Sequence, residues 1–397
     1  MNSIHISYSD GIGGASRAAY RIFSAIEKES FNQGYSSIFK VYKKVTGDYR
    51  VVDNNNEWKY WKRIQPLLSR IPYQSFKTPN NTAHSTALIP NNFYNKLRDL
   101  NKSSKVDLCH LHWIGDSTLT IEEIGKIDIP VVWSLHDQWP FCGAEHYCFP
   151  PKDTMAESDD IRYINGYQKK SRNIGEGGFD LNRWTWLRKL RAWKKPLNIV
   201  CSSSWLYDCA KNSFLMRDWP IYKIPYPIDL EKWKPVDKRL ARDLLNLSNK
   251  DNDIPIILFG AVGGTIDPRK GADLLFEAFL YLKNNSENNI FKNMQLIIFG
   301  EYEPINPPKI GYPIKYVGKL NDDISLRLLY SAADLMVVPS RQEAFGQTAS
   351  EAHACGTPVA SFEIGGLKDI VDHKKTGYLA KPFSSKSLAM GIKYILE

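Results

Sequence analysis

The chain has 397 residues, 43% of them hydrophobic and 24% charged, and a net charge of +9 at pH 7. That length suits two domains of ordinary size, and the composition excludes a disordered or fibrous chain. No apolar run reaches the ~18 residues of a membrane-spanning helix. The opening Met1-Asn2-Ser3-Ile4-His5-Ile6 lacks the basic-then-apolar pattern of a signal peptide, so a cytoplasmic location is expected.

Residues 4–8 read as a first strand, followed by the glycine turn Gly11-Ile12-Gly13-Gly14 and a helix over 15–26. Further β-rich runs lie at 37–41, 106–112, 130–135 and 198–202, with a helix starting near Ser204. The segment 79–92, rich in Asn, Thr, Ser and Pro, reads as a long loop. Proline then punctuates the chain at Pro220, Pro225, Pro227 and Pro235, which marks an interdomain linker. The alternation restarts with strands at 254–259, 294–299, 314–317, 334–338 and 359–362, and helices at 272–283, 324–332 and 348–355. Short strands separated by helices indicate parallel α/β sheets. The expected architecture is two doubly wound Rossmann-like domains, residues 1–225 and 226–397, facing across a cleft. In such sheets ligands sit beyond the carboxyl ends of the strands.

The six cysteines form no disulfide framework and fit a reducing compartment. Cys142, His146 and Cys148 lie close together, but they lack a second pair of ligands with zinc-site spacing, so no metal is expected. Two stretches mix cations with tryptophan. One runs over 58–73, with Trp58, Lys59, Tyr60, Trp61, Lys62, Arg63, Leu67 and Arg70; the other runs over 169–195, with Arg188, Lys189, Trp184, Trp186 and Trp193. They suit the headgroup layer of an acidic membrane, or a nucleic-acid backbone, or a solvated helix face whose aromatics enter the core.

The richest segment is Ser340-Arg341-Gln342-Glu343-Ala344-Phe345-Gly346-Gln347-Thr348-Ala349-Ser350-Glu351. Glu343 falls in the loop after a buried strand and Glu351 in the helix that follows. Carboxylates pair well with vicinal hydroxyls, since each oxygen accepts its own hydrogen bond. Phe345-Gly346 lets the backbone approach a ligand, and the helix start favours an anion. Acids near a helix N-terminus are also favoured by the macrodipole alone. Asp267-Pro268-Arg269-Lys270-Gly271 offers two cations that can neutralise a diphosphate leaving group. The turn at 11–14 falls short of a dinucleotide fingerprint, because position 16 is serine and the second strand ends in Lys43-Lys44. His136-Asp137 follows a strand, yet no G-x-S-x-G, H-E-x-x-H or G-x-x-x-x-G-K-[ST] exists to support a hydrolase triad, a zincin or a Walker nucleotidase.

The segment from Glu343 to Glu351 closely resembles the E-x7-E motif of the retaining glycosyltransferases of family 4, which have the GT-B fold. Ala332-Ala333-Asp334, Gly356-Thr357-Pro358-Val359, Gly365-Gly366, Asp369-Ile370-Val371 and Thr376-Gly377 fit the same family. The likeness is strong over 254–380 and looser before it. It implies transfer of a sugar from a nucleoside-diphosphate sugar to a saccharide or lipid-linked acceptor, as in cell-surface polysaccharide synthesis. The domain 226–397 would hold the donor and the domain 1–225 the acceptor.

By the same resemblance Glu343 contacts the donor sugar hydroxyls, Glu351 the ribose diol, and Phe345 and Gly346 the sugar and phosphates. Lys270 carries over, and Arg269 stands in for an arginine that the family places earlier, where this chain has Gly263-Gly264-Thr265. Gly13 and Gly14 approach the donor phosphates with help from Arg17, and His136 stands near the reacting sugar. His112, Asp137 and Arg17 are candidates for the acceptor side, and a buried strand histidine with satisfied hydrogen bonds is the commoner reading of His112. No cofactor is implied, since the nucleotide sugar is a substrate, and no nucleic acid; peripheral contact with the inner membrane surface is an open reading. The linker carries Tyr226-Pro227 where the family has Asn-Gly. The family adds a C-terminal helix crossing back to the first domain, whereas this sequence reaches Glu397 soon after its last helix begins, so altered domain closure is expected. A same-fold epimerase or phosphorylase is the alternative reading, and a nucleic-acid-binding protein a distant one. A phosphorylase of this fold would need a lysine-bound pyridoxal group.

Overall fold

Runs buried on both faces build two parallel sheets in this chain, seen in a computed structural model. It describes residues 1–30, 34–53, 64, 67–69, 71–78, 82–90, 93–103, 106–115, 118–148, 162–173, 175–247, 254–260, 263–285, 291, 293–320 and 322–397. Trp58, Lys59, Tyr60, Trp61, Lys62, Arg63 and Arg70 of the first basic stretch lie outside the described residues, as do 79–81 and 91–92 of the expected loop. The chain divides into two compact units, Met1–Pro227 and Ile228–Glu397.

The first unit holds β1 Asn2–Ser9, β2 Ser36–Lys43, β3 Val51–Asp53, β4 Phe76–Lys77, β5 Leu108–Leu111, β6 Val131–Leu135, β7 Gly177–Gly178, β8 Asn198–Cys201 and β9 Ile221–Lys223. Seven of these form one sheet in the order β3-β2-β1-β5-β6-β8-β9, every pairing parallel, and β4 and β7 form a separate antiparallel pair. The helix Gly13–Ser30 lays Ala19 and Phe23 on Phe39, Val41 and Val51 of β2 and β3. β3 and β9 are three-residue edge strands, β9 inside the proline-rich stretch, too short to show a period in the sequence.

The second unit holds β10 Ile256–Gly260, β11 Gln295–Phe299, β12 Ile314–Tyr316, β13 Leu335–Val338, β14 Val359–Phe362 and β15 Gly377–Ala380. Their order, β12-β11-β10-β13-β14-β15, is the doubly wound Rossmann order, all parallel. β10, β13 and β14 are buried at every residue, as strands covered on both faces must be. Asp334 ties this sheet together from below: its carboxylate accepts from the Ile256 amide at 2.8 Å and from Arg242 at 2.6 Å. Trp233 packs on Tyr330 in this core, so the chain beyond the prolines is anchored to the second unit.

The second basic stretch takes the core alternative at its centre. Trp186 and Trp193 are buried, Lys189 is wholly enclosed, and Arg188 binds Glu122 at 2.7 Å and the carbonyls of Thr86 and Ala87. Lys169, Lys170, Arg191, Lys194 and Lys195 remain exposed. The expected loop at 79–92 is pulled inward by those same bonds, burying Thr82, Ser85, Thr86 and Ala87. No helix among the described residues is long and apolar enough to cross a membrane.

Candidate active site

In the second unit the strand order reverses between β10 and β13, and the loops after these two strands carry the candidate donor-site residues. Asp267 caps the short helical turn Pro268–Lys270 and presents Lys270. Its Nζ donates to Glu343 Oε2 at 2.7 Å, and Ser340 Oγ donates to the same oxygen at 3.3 Å. Both partners are mostly shielded, their side chains 23% and 17% exposed.

Arg269 is not brought to Glu343. Its guanidinium folds back on Asp267, with Nη2 to Oδ2 at 2.5 Å and Nε to Oδ1 at 3.2 Å. A residue without a sequence signal does the bracing. Arg341 donates from its amide to Arg269 O at 2.7 Å, from its side chain to Pro268 O at 2.9 Å, and binds Asp273 through both oxygens. That guanidinium holds the Asp273 carboxyl below its ordinary range against the effect of burial. The brace locks the loop after β10 to the loop after β13.

The helix Gln347–Ala354 starts at Gly346, at φ 108° and without a side-chain cap. A Cβ there would lie 2.8 Å from Leu367 Cδ2, and no L side chain adopts that backbone easily. An uncapped helix start is a ready anion site. Glu351, one turn in, is buried and accepts from Tyr330 Oη at 2.8 Å. Tyr330 is fixed in turn by its packing on Trp233 and Phe299, and its carbonyl accepts from Thr357 Oγ1 at 2.6 Å. Glu301, which the sequence reading did not single out, is buried after β11, accepts from the Thr265 amide at 3.1 Å, and keeps Oε1 without a partner.

Gly365-Gly366 acts as the bed of the Glu343 loop. Gly366 N donates to Glu343 O at 2.9 Å, and Gly365 has φ 49° with its missing Cβ 2.2 Å from that oxygen. Gly365→Ala is therefore expected to destabilise the second unit by about 3 kcal/mol, from left-handed strain plus overpacking. Urea denaturation should show it, and an unchanged midpoint would remove the account.

In the first unit Gly13 and Gly14 open the helix Gly13–Ser30, and Arg17 follows, half-buried. Asp10, buried and unflagged by the sequence, accepts from the amides of Val45 and Thr46 at 2.8 and 2.9 Å and so ties the glycine turn to the end of β2.

A small concavity beyond β5 and β6 is lined by His112, Trp113, His136, Asp137 and His146. His136 Nδ1 lies 2.6 Å from Tyr226 Oη, so the linker tyrosine orients it, while Nε2 is buried without a partner. Burial pushes His136 down to about 4, so the ring is neutral at ordinary pH. Asp137 bonds His146 Nδ1 at 2.6 Å, Trp113 Nε1 at 2.9 Å and the Trp139 amide at 3.0 Å. Burial alone would raise its carboxyl, but these partners hold it below the usual range. Asp137 is thus a structural knot as placed. His112 Nε2 meets His5 Nδ1 at 3.0 Å, and its ring stacks on His110 at 4.3 Å in the sheet interior.

Solved structures share this architecture over the whole chain. Sucrose-phosphate synthase from Thermosynechococcus elongatus is 17% identical with a TM-score of 0.63, covering 100% of this chain and 90% of that one. HepE from Anabaena, in complex with UDP and glucose, is 16% identical with a TM-score of 0.57 and the same coverage. Two doubly wound parallel-sheet units in succession, with these residues at the switch point of the second, define the GT-B class. Residues 247–397 match the family "Glycosyl transferases group 1".

Curated relatives agree over part of their length. D-inositol 3-phosphate glycosyltransferase 2 of Catenulispora acidiphila is 32% identical over 181 residues, 43% of this chain and 41% of that protein. The D-inositol 3-phosphate glycosyltransferase of Segniliparus rotundus is 31% identical over 167 residues, 39% of this chain and 34% of that protein. The chain thus spans well under half the length of the curated relatives it matches.

Proposed function

We propose that the chain transfers a sugar from a nucleoside-diphosphate sugar to a saccharide or lipid-linked acceptor with retention, using no cofactor and no metal at the reacting centre. The observation that carries the reading is the Lys270–Glu343 pair at 2.7 Å, set beside an uncapped helix start at the switch point of a group 1 domain. The acceptor hydroxyl attacks the face that the diphosphate leaves, and a donor phosphate oxygen takes its proton. Negative charge grows on the leaving diphosphate, so cations and helix amides aimed at it lower the barrier. Lys270 supplies that charge, while Arg269 contributes little once Asp267 has neutralised it. Glu343 orients the sugar and Glu351 the ribose. Gly346 and Phe345 let the backbone reach the phosphates. His136, neutral and with one open nitrogen, serves the acceptor side.

Neither the epimerase, the phosphorylase nor the nucleic-acid reading gains support from the comparisons. The test is thermal denaturation with UDP, GDP, ADP, NAD and a short oligonucleotide, on wild type and on Glu351→Ala. A diphosphate at one hundred times its Kd adds about 2.7 kcal/mol and raises Tm by a few degrees. One diphosphate should stabilise the wild type and not the variant; a shift with the oligonucleotide alone would end the proposal. Retention is read from the anomeric configuration of the product by proton NMR, and metal independence from indifference to added Mg2+ and Mn2+.

A lipid-linked acceptor would bring the enzyme to acidic bilayers through the exposed Lys169, Lys170, Arg191, Lys194 and Lys195. Sedimentation with anionic vesicles should exceed that with neutral ones, and equal sedimentation removes the membrane part of the reading.

A further inference from the structure

The loop after β6 carries a cluster that the transfer chemistry leaves unused. Gln138 knots this loop: its carbonyl accepts from the Cys142 amide at 2.9 Å, its amide donates to His146 O at 3.0 Å, and its Oε1 accepts from the Cys148 amide at 2.8 Å. The knot brings Cys142 Sγ to 3.4 Å from Cys148 Sγ, and Cys148 Sγ to 3.8 Å from Glu145 Oε1. One ligand atom from each of the three residues lies within 4.8 Å of the others. The set differs from the Cys142–His146–Cys148 trio considered from the sequence. His146 spends Nδ1 on Asp137 and Nε2 on Ser85, whereas Glu145 turns inward.

We infer that Cys142, Glu145 and Cys148 bind one divalent transition metal ion, zinc by ligand type, that pins the loop bearing His136 and Asp137. Zinc–sulfur bonds of about 2.3 Å place two tetrahedral sulfurs about 3.8 Å apart, and a carboxylate oxygen at about 2.1 Å falls about 3.6 Å from either sulfur. The Cys142–Cys148 separation of 3.4 Å and the Cys148–Glu145 Oε1 separation of 3.8 Å lie close to those values, and the third pair lies within 4.8 Å. Glu145 is buried at 3% exposure, and its Oε2 has no hydrogen-bond partner, which is costly unless something completes it. Its Oε1 accepts from Tyr167 Oη, and that hydroxyl also accepts from the Gly143 amide at 2.7 Å. A hydrogen bond behind a ligating carboxylate is the usual support of a metal site.

The charge count favours the same conclusion. Two thiolates, one carboxylate and a dication leave one net negative charge. Lys189, wholly buried, donates to the carbonyls of Trp139, Cys142 and Gly143, and none of its hydrogen bonds goes to an acid. Glu145 and Asp137 lie near this buried ammonium, and the metal–thiolate centre adds to the negative charge that offsets its burial. Among the described residues the other possible ligand group is His5, His110 and His112. Those rings already bond one another and Ser134, and they offer no anion to a dication.

The test uses the full chain, stripped with a chelator and refilled with Co2+. One equivalent should bind, with the intense near-ultraviolet thiolate-to-cobalt band and the visible bands of a tetrahedral ion. Cys142→Ser and Cys148→Ser should each lose most of the thiolate band, and Tyr167→Phe should keep it while weakening affinity about 10- to 100-fold. Alkylation mapping of the wild type needs no variant: Cys142 and Cys148 should react faster after chelation. Absence of metal together with no cobalt band overturns the inference. So does a spectrum of nitrogen ligation alone, or a Cys142–Cys148 disulfide in freshly purified protein.

Discussion

Acidification from about pH 6.5 to about pH 5 is expected to destabilise the first unit by about 3 kcal/mol through His5 and His136, and further through His110 and His112, enough to unfold a marginal domain. Burial lowers His5 to about 3 and His136 to about 4. Burial also drives His110 and His112 well below the ordinary 6.5, with repulsion from neighbouring imidazoles adding to it. In the unfolded chain each ring titrates near 6.5. Between that value and about 4 the unfolded state takes up protons that the native state refuses. For a base with a depressed native pKa, stability is complete above the unfolded pKa and lost as pH falls towards the native one. Between about pH 6.5 and about pH 5 a ring held near 4 or below, as His5 and His136 are, loses about 1.5–2 kcal/mol, and His110 and His112 act in the same direction. Asp137 pulls His136 upward without undoing the burial, and His5 is hemmed in by Phe23 and Phe39, which cannot stabilise a cation buried among four rings. Tryptophan fluorescence reports this unit, because ten of the eleven tryptophans precede Ile228. A transition between pH 5 and 6 is the expected result. A flat signal down to pH 4.5 would show that the rings reach solvent or a partner in solution.

How much of this was legible in the sequence depends on where the signal was stored. The central strands announce themselves, since β10, β13 and β14 are unbroken apolar runs that suit burial on both faces. The edge strands β3 and β9 do not, because three residues carry no period and their pairing is set by a neighbour already in place. Lys270 and Glu343 were readable as residue types beside strand ends, and the fold brings them together. Arg269 shows the limit: a cation one position away turns to Asp267, a choice made by the local turn and invisible in composition. The brace by Arg341 and Asp273 joins residues 68 positions apart, so no local pattern could reveal it. The stretch around Lys189 shows the reverse error. Cations beside tryptophans suggest a surface, yet Lys189 lies over Trp139 at 3.8 Å inside the fold, because three main-chain carbonyls from one loop need a donor there.

Lys270→Ala is expected to lower kcat for transfer by about 10²–10³ while changing diphosphate affinity by less than about tenfold. The reasoning starts from the pair. In the free enzyme Lys270 and Glu343 neutralise one another at 2.7 Å, so neither stands as a bare charge. In the proposed transfer, charge moves onto the diphosphate as the glycosidic bond breaks, and the ammonium would interact more strongly there than in the ground state, which is the condition for raising kcat. Removing Lys270 also leaves Glu343 unpaired beside a growing anion, so part of the loss is repulsion. Glu343→Gln in the Lys270→Ala background should therefore cost much less than Glu343→Gln in wild type, the signature of two residues sharing one interaction. Arg269→Ala should fall within about tenfold of wild type, since Asp267 already cancels its charge. Lys270→Arg should recover part of the loss, because the charge remains while the fork cannot match a point contact. The measurements are kcat, KM and the Kd of the diphosphate for each variant. Equal losses in transfer and in diphosphate affinity for Lys270→Ala would mean that the lysine holds the donor without favouring its cleavage, and additive losses in the double variant would separate Glu343 from it.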